Sequence, residues 1–439
     1  MKTMLLATVA ILGLAMPAQA QTAPDYAAAI KADYAKDLGG LWDWFHRNPE
    51  LSFKEVNTAA RMAKELRAAG ATVTEKVGGT GVVAVLTNGA GPTVLVRADM
   101  DGLPLKEASG LPNMSVARQI GIDGVDSPVM HACGHDTHIT ALVATARRLA
   151  AMKDRWKGTV VMIVQPAEER VGGAAAMLKD GLYTRFPKPD YALAFHVDAN
   201  QPTGTVTASE GISSSSADSI DIIVPGIGAH GAAPNSGKDP VYMASQIVIA
   251  LQGLISRERE PLVPGVITVG SFHSGTKHNI ISDEAKLQLT VRANDEATRA
   301  RLIAGIRRIA EGVGRMNGMP DDKLPRVTVS EGTPTTINDA ALARRMNAAL
   351  ARDLGAATML PFKQLGMGAE DFAYFVQPEL KVAGYYFLVG GTPKAALDAA
   401  AAGGPPVPSH HSPLFKIDPE PAVVLGATAM TAAVLELLK

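Results

Sequence analysis

Short β-branched runs alternating with helical segments predict an α/β fold built on a mostly parallel central sheet. A change of order from about residue 213, to β-α-β-β-α-β, predicts a ferredoxin-like α+β unit of near 115 residues inserted into it. The expected division is 21–212 and 331–439 for the first unit and 213–330 for the insert.

The elements follow in chain order. Residues 25–48 and 55–69 read as helices, the second rich in Ala, Arg and Leu. "TGVVAVLTNG" and "PTVLVRAD" are β-branched runs bounded by Gly and Pro, hence strands. "ITALVATARRLAAM" is helical, and "GTVVMIVQ" (158–165) is a continuous apolar run suited to a strand buried on both faces. "GGAAAMLKDG" is a helix and "DYALAFHV" a strand. The insert reads as strand 218–224, helix 239–257, strands 265–272 and 284–292, helix 295–316 and strand 325–330. Asp239 is the expected N-cap of its first helix, with Pro240 at the first helical position. After 331 helix and strand return, ending in a helix at about 420–438. "PKAALDAAAAGGPPVP" (393–408) is low in complexity and is expected to be a mobile loop.

The first twenty residues combine Lys2, an apolar run and Ala18-Gln19-Ala20, the layout of a cleaved secretion signal with the cut at about Ala20/Gln21. A retained membrane anchor is the alternative reading. The expected location is therefore periplasmic or secreted, with no stable membrane anchor. A formal net charge of −1 and no long basic run argue against nucleic acid as the main partner.

The single cysteine cannot close an internal disulfide. It lies in "HACGHDTH" (131–138), where Cys133 and His135 flank a glycine turn that can aim a thiolate and an imidazole at one point. His131, Asp136 and His138 are expected either to orient these ligands or to serve as ordinary helix-start polar residues. "QPAEE" sets Glu168 and Glu169 at the carboxyl end of a buried strand, where α/β sheets bind ligands; a solvated turn is the bland alternative. "AFHVD" ends another apolar strand with His196, which a packed histidine would also explain. "PSHHSPLF" supplies His410 and His411. Taken jointly, Cys133, His135, Glu169, His196 and His411 are too many ligands for one tetrahedral zinc and suit two metals sharing a bridge. A Cys-His nucleophile remains the competing reading of the motif. "GGTGVVAVL" places its glycines before a strand and is no dinucleotide fingerprint. "SSSS" (213–216) lacks a nucleophile context and is most simply an interdomain hinge.

The chain resembles, nearly end to end after residue 20, the dinuclear metallohydrolases that include aminoacylases, hippurate hydrolases and auxin-conjugate (IAA-amino acid) hydrolases. The matching stretches are "HRNPELSFKE", "RADMDGLPL", "MHACGHDTH", "QPAEE", "GAHGAAPNSGKDPV" and "EDFAYF". The resemblance implies a zinc-peptidase-like catalytic domain with two divalent ions (Zn, Mn, Ni or Co) and an inserted lid that also forms a homodimer. It implies Cys133 as the bridging thiolate, with His135, Glu169, His196 and His411 completing the site. His411 is preferred to His410 because the family pattern is His-Ser-Pro-x-Phe. Glu168 is the implied general base, His230 a lid residue reaching an active site, and Asn279 a substrate contact. Ser282 replaces the proline of the family's Asn-x-Ile-Pro, which puts the local loop shape in doubt.

The expected reaction is hydrolysis of the amide bond of N-acyl amino acids or related conjugates, by a metal-activated water. Two dications against one thiolate, one carboxylate and a hydroxide leave a positive site that favours an anionic substrate. The rivals are a dipeptidase or carboxypeptidase of the same family and a non-catalytic periplasmic binding protein. Glu168, a carboxylate that a mere binder does not need, favours catalysis.

Overall fold

The computed structural model describes residues 24–439, so the secretion signal expected over 1–20 lies outside the described residues. A seven-stranded sheet runs in the order Thr72–Val77, Gly81–Asn88, Gly158–Gln165, Thr93–Asp99, Tyr191–Pro202, Ala383–Thr392, Val206–Thr207. The four strands from Gly158–Gln165 to Ala383–Thr392 are parallel, and those flanking them pair antiparallel. In Gly158–Gln165, Val160, Met162 and Val164 enter one core while Val161 and Ile163 enter the core on the opposite face. That is why the run is apolar without alternation: each such side chain gains roughly 1.5–3 kcal/mol by burial, on whichever face it lies.

Helices Val56–Ala68, His135–Ala151, Ala340–Leu354 and Pro419–Leu437 cover the first face. Gly173–Lys179 and the 3-10 turn Asp371–Val376 cover the second. Pro419–Leu437 is long and apolar enough to cross a membrane, yet it packs against His135–Ala151 as a core helix.

A second sheet, entirely antiparallel, runs Gly265–Ser274, Glu284–Ala293, Ser216–Pro225, Arg326–Thr333. Helices Pro240–Gly253 and Glu296–Met316 close over Ile220, Leu287, Ile247 and Ile306, giving a core separate from the first. The connection order and the placing of the first strand between the third and fourth are ferredoxin-like. Asp239 caps its helix as expected, accepting the Val241 and Tyr242 N–H groups at 2.8 and 3.3 Å.

Several expectations need correction. The helix expected over 25–48 runs without a break over 25–47, but it carries a π-turn, Tyr34–Leu38, ahead of the adjacent glycines Gly39 and Gly40, where helical backbone is less favoured. The 393–408 stretch is not loop throughout: Lys394–Ala401 is a helix. Its alanine content favours helix more than its low complexity opposes it, and Lys394 pairs with Asp398 at 2.7 Å one turn on. The serine run is no plain hinge. Ser213 and Ser214 lie in strand Ile212–Ser214, and the Ser215 hydroxyl donates to Asn294 Oδ1 at 2.6 Å. Strands Thr72–Val77 and Ala383–Thr392 and the hairpin Arg118–Ile120/Asp126–Pro128 had no counterpart in the sequence reading.

A buried histidine ties the N-terminal helices to the start of His135–Ala151. His46 stacks on Trp42, with ring centroids 4.7 Å apart. Its Nδ1 lies 2.8 Å from Asp136 Oδ2 and its Nε2 3.3 Å from Glu107 Oε1. With a carboxylate at each nitrogen, both must donate, so the ring is an imidazolium. Burial opposes the charge, but the hydrogen bonds to Asp136 and Glu107 outweigh it and raise the pKa from 6.5 to about 10. A raised folded-state pKa stabilises fully below the unfolded value and fades as pH climbs through the folded one. His46→Gln should therefore lower unfolding free energy by roughly 3–5 kcal/mol at pH 6. The gap to wild type should narrow steadily between pH 6.5 and about 10 in denaturant titrations. A gap that stays constant over that window would show that His46 is not charged in the folded protein.

Candidate metal centre

Four chain segments converge at the carboxyl ends of the parallel strands, the position where open α/β sheets bind ligands. Asp99 ends one strand and Asp101 follows it, Glu168 and Glu169 follow another, and His196 lies in a third, while Cys133 and His135 open the helix His135–Ala151. Gly134, between the last two, has φ +87, and an added Cβ would sit 2.4 Å from Val197 Cγ1. Only glycine allows the turn that presents both side chains together.

All five residues expected as ligands meet here. Cys133 Sγ is 3.4 Å from His196 Nε2, His411 Nε2 is 3.4 Å from Glu169 Oε2, and His135 Nε2 is 3.9 Å from Glu169 Oε1. Two triads, Cys133–His135–His196 and Cys133–Glu169–His411, each hold their donor atoms within 4.8 Å of one another. Backbone carbonyls fix the tautomers. His135 Nδ1–H donates to Asp101 O at 2.8 Å and His196 Nδ1–H to Val197 O at 2.7 Å, so each ring turns a bare Nε2 into the cluster.

His135 Nε2 and Glu169 Oε1 are buried without any hydrogen-bond partner. Left so, each would cost about 1–3 kcal/mol. A thiolate, bare imidazoles and a carboxylate, with unsatisfied lone pairs facing one space, form a donor set that fits zinc-like divalent ions. Burial opposes charge on His135, but without a cation in that space the surrounding Asp99, Asp101 and Glu169 outweigh it and raise the pKa to about 10, so Nε2 would hold a proton that a bound ion displaces. Burial, then Glu370, pushes the Glu168 carboxyl well above its usual range. Burial and the neighbouring Asp101 and Asp99 push Glu169 up to about 8, against the pull of His135. Burial, then Glu169 and Glu168, pushes the Cys133 thiol up as well. Bound cations reverse this logic and keep such groups ionised.

The glutamate pair is held from behind. Asp101 accepts the Glu168 and Glu169 backbone N–H groups at 3.1 Å each and the Ser52 hydroxyl at 2.7 Å. Ala167 (φ 49) and Val171 (φ 46) on either side, and His411 (φ 62), occupy left-handed backbone. Conformations of this kind cost roughly 1–3 kcal/mol each and gather at functional sites. Beneath them Arg97, 2 % exposed, donates to Asp99 at 2.7 Å, Glu370 at 2.6 Å and Asp371 at 3.2 Å.

The remaining sequence candidates divide. His138 touches no candidate ligand through a hydrogen bond. Its Nδ1 faces Asp99 at 2.5 Å and its Nε2 accepts the Val197 N–H at 2.9 Å, so neither nitrogen is free. Asp136 serves His46, and both ring nitrogens of the buried His131 lack partners. His230 and Asn279 come together with each other but not with the cluster. Ala229–His230 pairs with Ile280–Ile281 beside the second sheet, and Gly231 N–H donates to Asn279 O at 2.9 Å. Both residues are exposed, and neither lines the cleft of about 690 Å³ that opens over Cys133, Glu168, Glu169, His196 and His411.

Residues 95–401 match the profile of Peptidase family M20/M25/M40. The chain belongs to this family. It is 38 % identical over 348 residues to a hippurate hydrolase from Campylobacter jejuni, covering 78 % of this chain and 85 % of that one. To a thermostable carboxypeptidase from Saccharolobus solfataricus it is 35 % identical over 365 residues, covering 81 % and 87 %. To an IAA-amino acid hydrolase-like protein from Arabidopsis thaliana it is 30 % identical over 416 residues, covering 91 % and 86 %. A solved structure described as a dinuclear metal binding peptidase of the M20 family, from Bacillus subtilis, superposes with a TM-score of 0.72 at 27 % identity, covering 94 % and 99 %. As an M20/M25/M40 enzyme the protein is a metal-dependent hydrolase of amide bonds.

Sequence reasoning assigned no role to Arg97, Asp99, Asp101, Glu370 or Arg292. "RADMD" carried a signal, because an arginine inside an apolar strand must find buried partners. Glu370 opens the matching stretch "EDFAYF" without a role assigned to it, and Arg292 carried no signal; it reaches the site only through the fold.

Proposed function

We propose that this family member hydrolyses the amide bond of N-acyl amino acids or related amino-acid conjugates, with Glu168 as general base. The observation that carries this reading is Arg292, which lines the same cleft as the candidate ligands. It extends from strand Glu284–Ala293, its Nε donates only to Thr290 Oγ1 at 3.0 Å, and no carboxylate pairs with it among the described residues. Burial lowers its pKa, which an anion beside it would reverse. A guanidinium facing the hydrolytic cluster suits the carboxylate that every N-acyl amino acid carries. The charge of the metal ligands alone does not set the field here, because Asp99, Asp101, Glu370 and Asp371 lie beside them, whereas Arg292 lines the cleft itself. The names of the relatives, a hippurate hydrolase and an IAA-amino acid hydrolase-like protein, are in keeping with it. A carboxypeptidase reading shares the same carboxylate contact, and one relative bears that name.

In this reading Cys133, His135, Glu169, His196 and His411 hold two divalent ions. Such ions supply Lewis-acid polarisation of a scissile carbonyl and a water of lowered pKa. Glu168 faces the cleft with its carboxylate 3.9 Å from His135 Nε2. It takes the proton of the attacking water and passes it to the leaving amine nitrogen. The second sheet acts as a lid and as the contact of a homodimer. Gly265–Ser274 is its edge strand, with Phe272 exposed, and the neighbouring helix exposes Tyr242 and Ile249. His230 Nδ1 accepts the Ala232 N–H at 2.9 Å, which leaves Nε2–H as an outward donor. That donor stabilises the oxyanion formed in the neighbouring subunit's site, a task worth about 3–4 kcal/mol.

Base and ligand should separate on mutation. Glu168→Gln should keep its metal content by elemental analysis and lose activity on N-acetyl and N-benzoyl amino acids by orders of magnitude, whereas Glu169→Gln should lose metal. The reverse pattern would exchange their roles. Arg292→Ala should raise KM at least tenfold for an N-acyl amino acid and leave it unchanged for the corresponding amide; equal effects on both would remove Arg292 from substrate recognition. Mixing inactive His230→Ala with inactive Glu168→Gln should restore partial activity, because a mixed dimer carries both lesions in one site and neither in the other. Failure to recover activity, with subunit exchange demonstrated, would place His230 in its own chain's site or outside catalysis.

A further inference from the structure

His410, passed over in favour of His411 as a ligand, lies against the cluster in a defined orientation. Its ring packs on Phe415 at 4.8 Å between centroids and edge-on to His196 at 5.3 Å. The His411 N–H donates to Ala132 O at 2.9 Å and pins this loop beside Cys133. The Ala199 backbone N–H points at His410 Nε2 at 3.1 Å, so that nitrogen must offer a lone pair. Asp198 Oδ1 lies 3.8 Å from the same nitrogen, too far to draw a proton onto it. The ring proton therefore sits on Nδ1, and Nδ1 is 3.8 Å from Cys133 Sγ.

We infer that His410 is a positioning residue that donates an Nδ1–H···S hydrogen bond to the metal-bound thiolate of Cys133. The inference rests on the reading of Cys133 as a metal ligand. Beside the sulfur His196 brings a bare Nε2 and Glu169 a carboxylate, and His410 brings a proton. Such a bond withdraws electron density from the thiolate. The sulfur then donates less to the ions, which remain stronger Lewis acids, and one of its lone pairs is held in a fixed direction. The Ala199 N–H does for His410 what carbonyls do for His135 and His196: a backbone group selects which nitrogen faces the centre. For the two ligands that nitrogen is bare, and for His410 it is protonated.

The cobalt-substituted protein gives a readout independent of turnover, because sulfur-to-cobalt(II) charge transfer absorbs in the near ultraviolet and depends on the energy of the sulfur lone pair. A hydrogen bond lowers that energy. His410→Phe keeps the ring against Phe415 and lacks the donor, whereas His410→Asn keeps an N–H near the Nδ1 position without the ring. With cobalt content and melting temperature measured for each, the band should move to longer wavelength in His410→Phe and return towards the wild-type position in His410→Asn. An unmoved band in fully loaded His410→Phe, or equal shifts in both variants, would overturn the hydrogen bond. Absence of any such band in the loaded wild-type protein would instead overturn Cys133 as a ligand, and this inference with it.

Discussion

The concentration of negative charge at the ends of the parallel strands is the constraint on which the rest of the structure depends. Asp99, Asp101, Glu168, Glu169, Glu370 and Asp371 crowd one nearly dry region, where like charges repel strongly and solvation is poor. Arg97 neutralises part of this from below through Asp99, Glu370 and Asp371, and the Tyr386 hydroxyl adds a 2.7 Å hydrogen bond to Glu370. Among the described residues no arginine or lysine pairs with Glu168, Glu169 or the Cys133 thiol, and only the His135 imidazole lies beside the two glutamates. Their upward pKa shifts and the unpaired atoms of His135 and Glu169 express the same imbalance, and divalent ions relieve it.

Around this charge the backbone does most of the sorting. Seven histidines lie in or near the region, and their roles follow from the groups their ring nitrogens meet. A carbonyl on Nδ1 leaves His135 and His196 with bare inward nitrogens, whereas two engaged nitrogens reduce His138 to a brace between Asp99 and Val197. His46, set between two carboxylates, is a buried cation that serves the fold. Left-handed backbone at Ala167, Val171 and His411 is the conformational cost of this placement, sustained by the packed sheet beneath.

The second sheet supplies what the first cannot. The parallel strands end in acids and metal-ligand types, whereas the far wall of the cleft brings the guanidinium of Arg292. Arg170, directly after the glutamate pair, pairs with Glu331 of strand Arg326–Thr333 at 2.8 Å and links the two walls. The candidate ligands and Arg292 therefore lie on separate sheets that face one cleft.

The sequence by itself determined the strands that are apolar on both faces, the chain order of the elements in the second sheet, and, through the family resemblance, the five residues that meet at the centre. Those features are local or repeated: an unbroken run such as 158–165, an Asp-Pro helix start at 239–240, a Cys-Gly-His turn. It misjudged 393–408, because low complexity and helix propensity pointed opposite ways, and it split no π-turn out of 25–48. Only the tertiary structure decided the partners. Arg97 meets Glu370 across 273 residues of chain, Arg292 reaches the cleft from another sheet, and the protonated nitrogens of His135, His196 and His410 are set by main-chain groups that sequence spacing does not reveal. Residue type fixes what a side chain can donate or accept; only the fold fixes what stands opposite it.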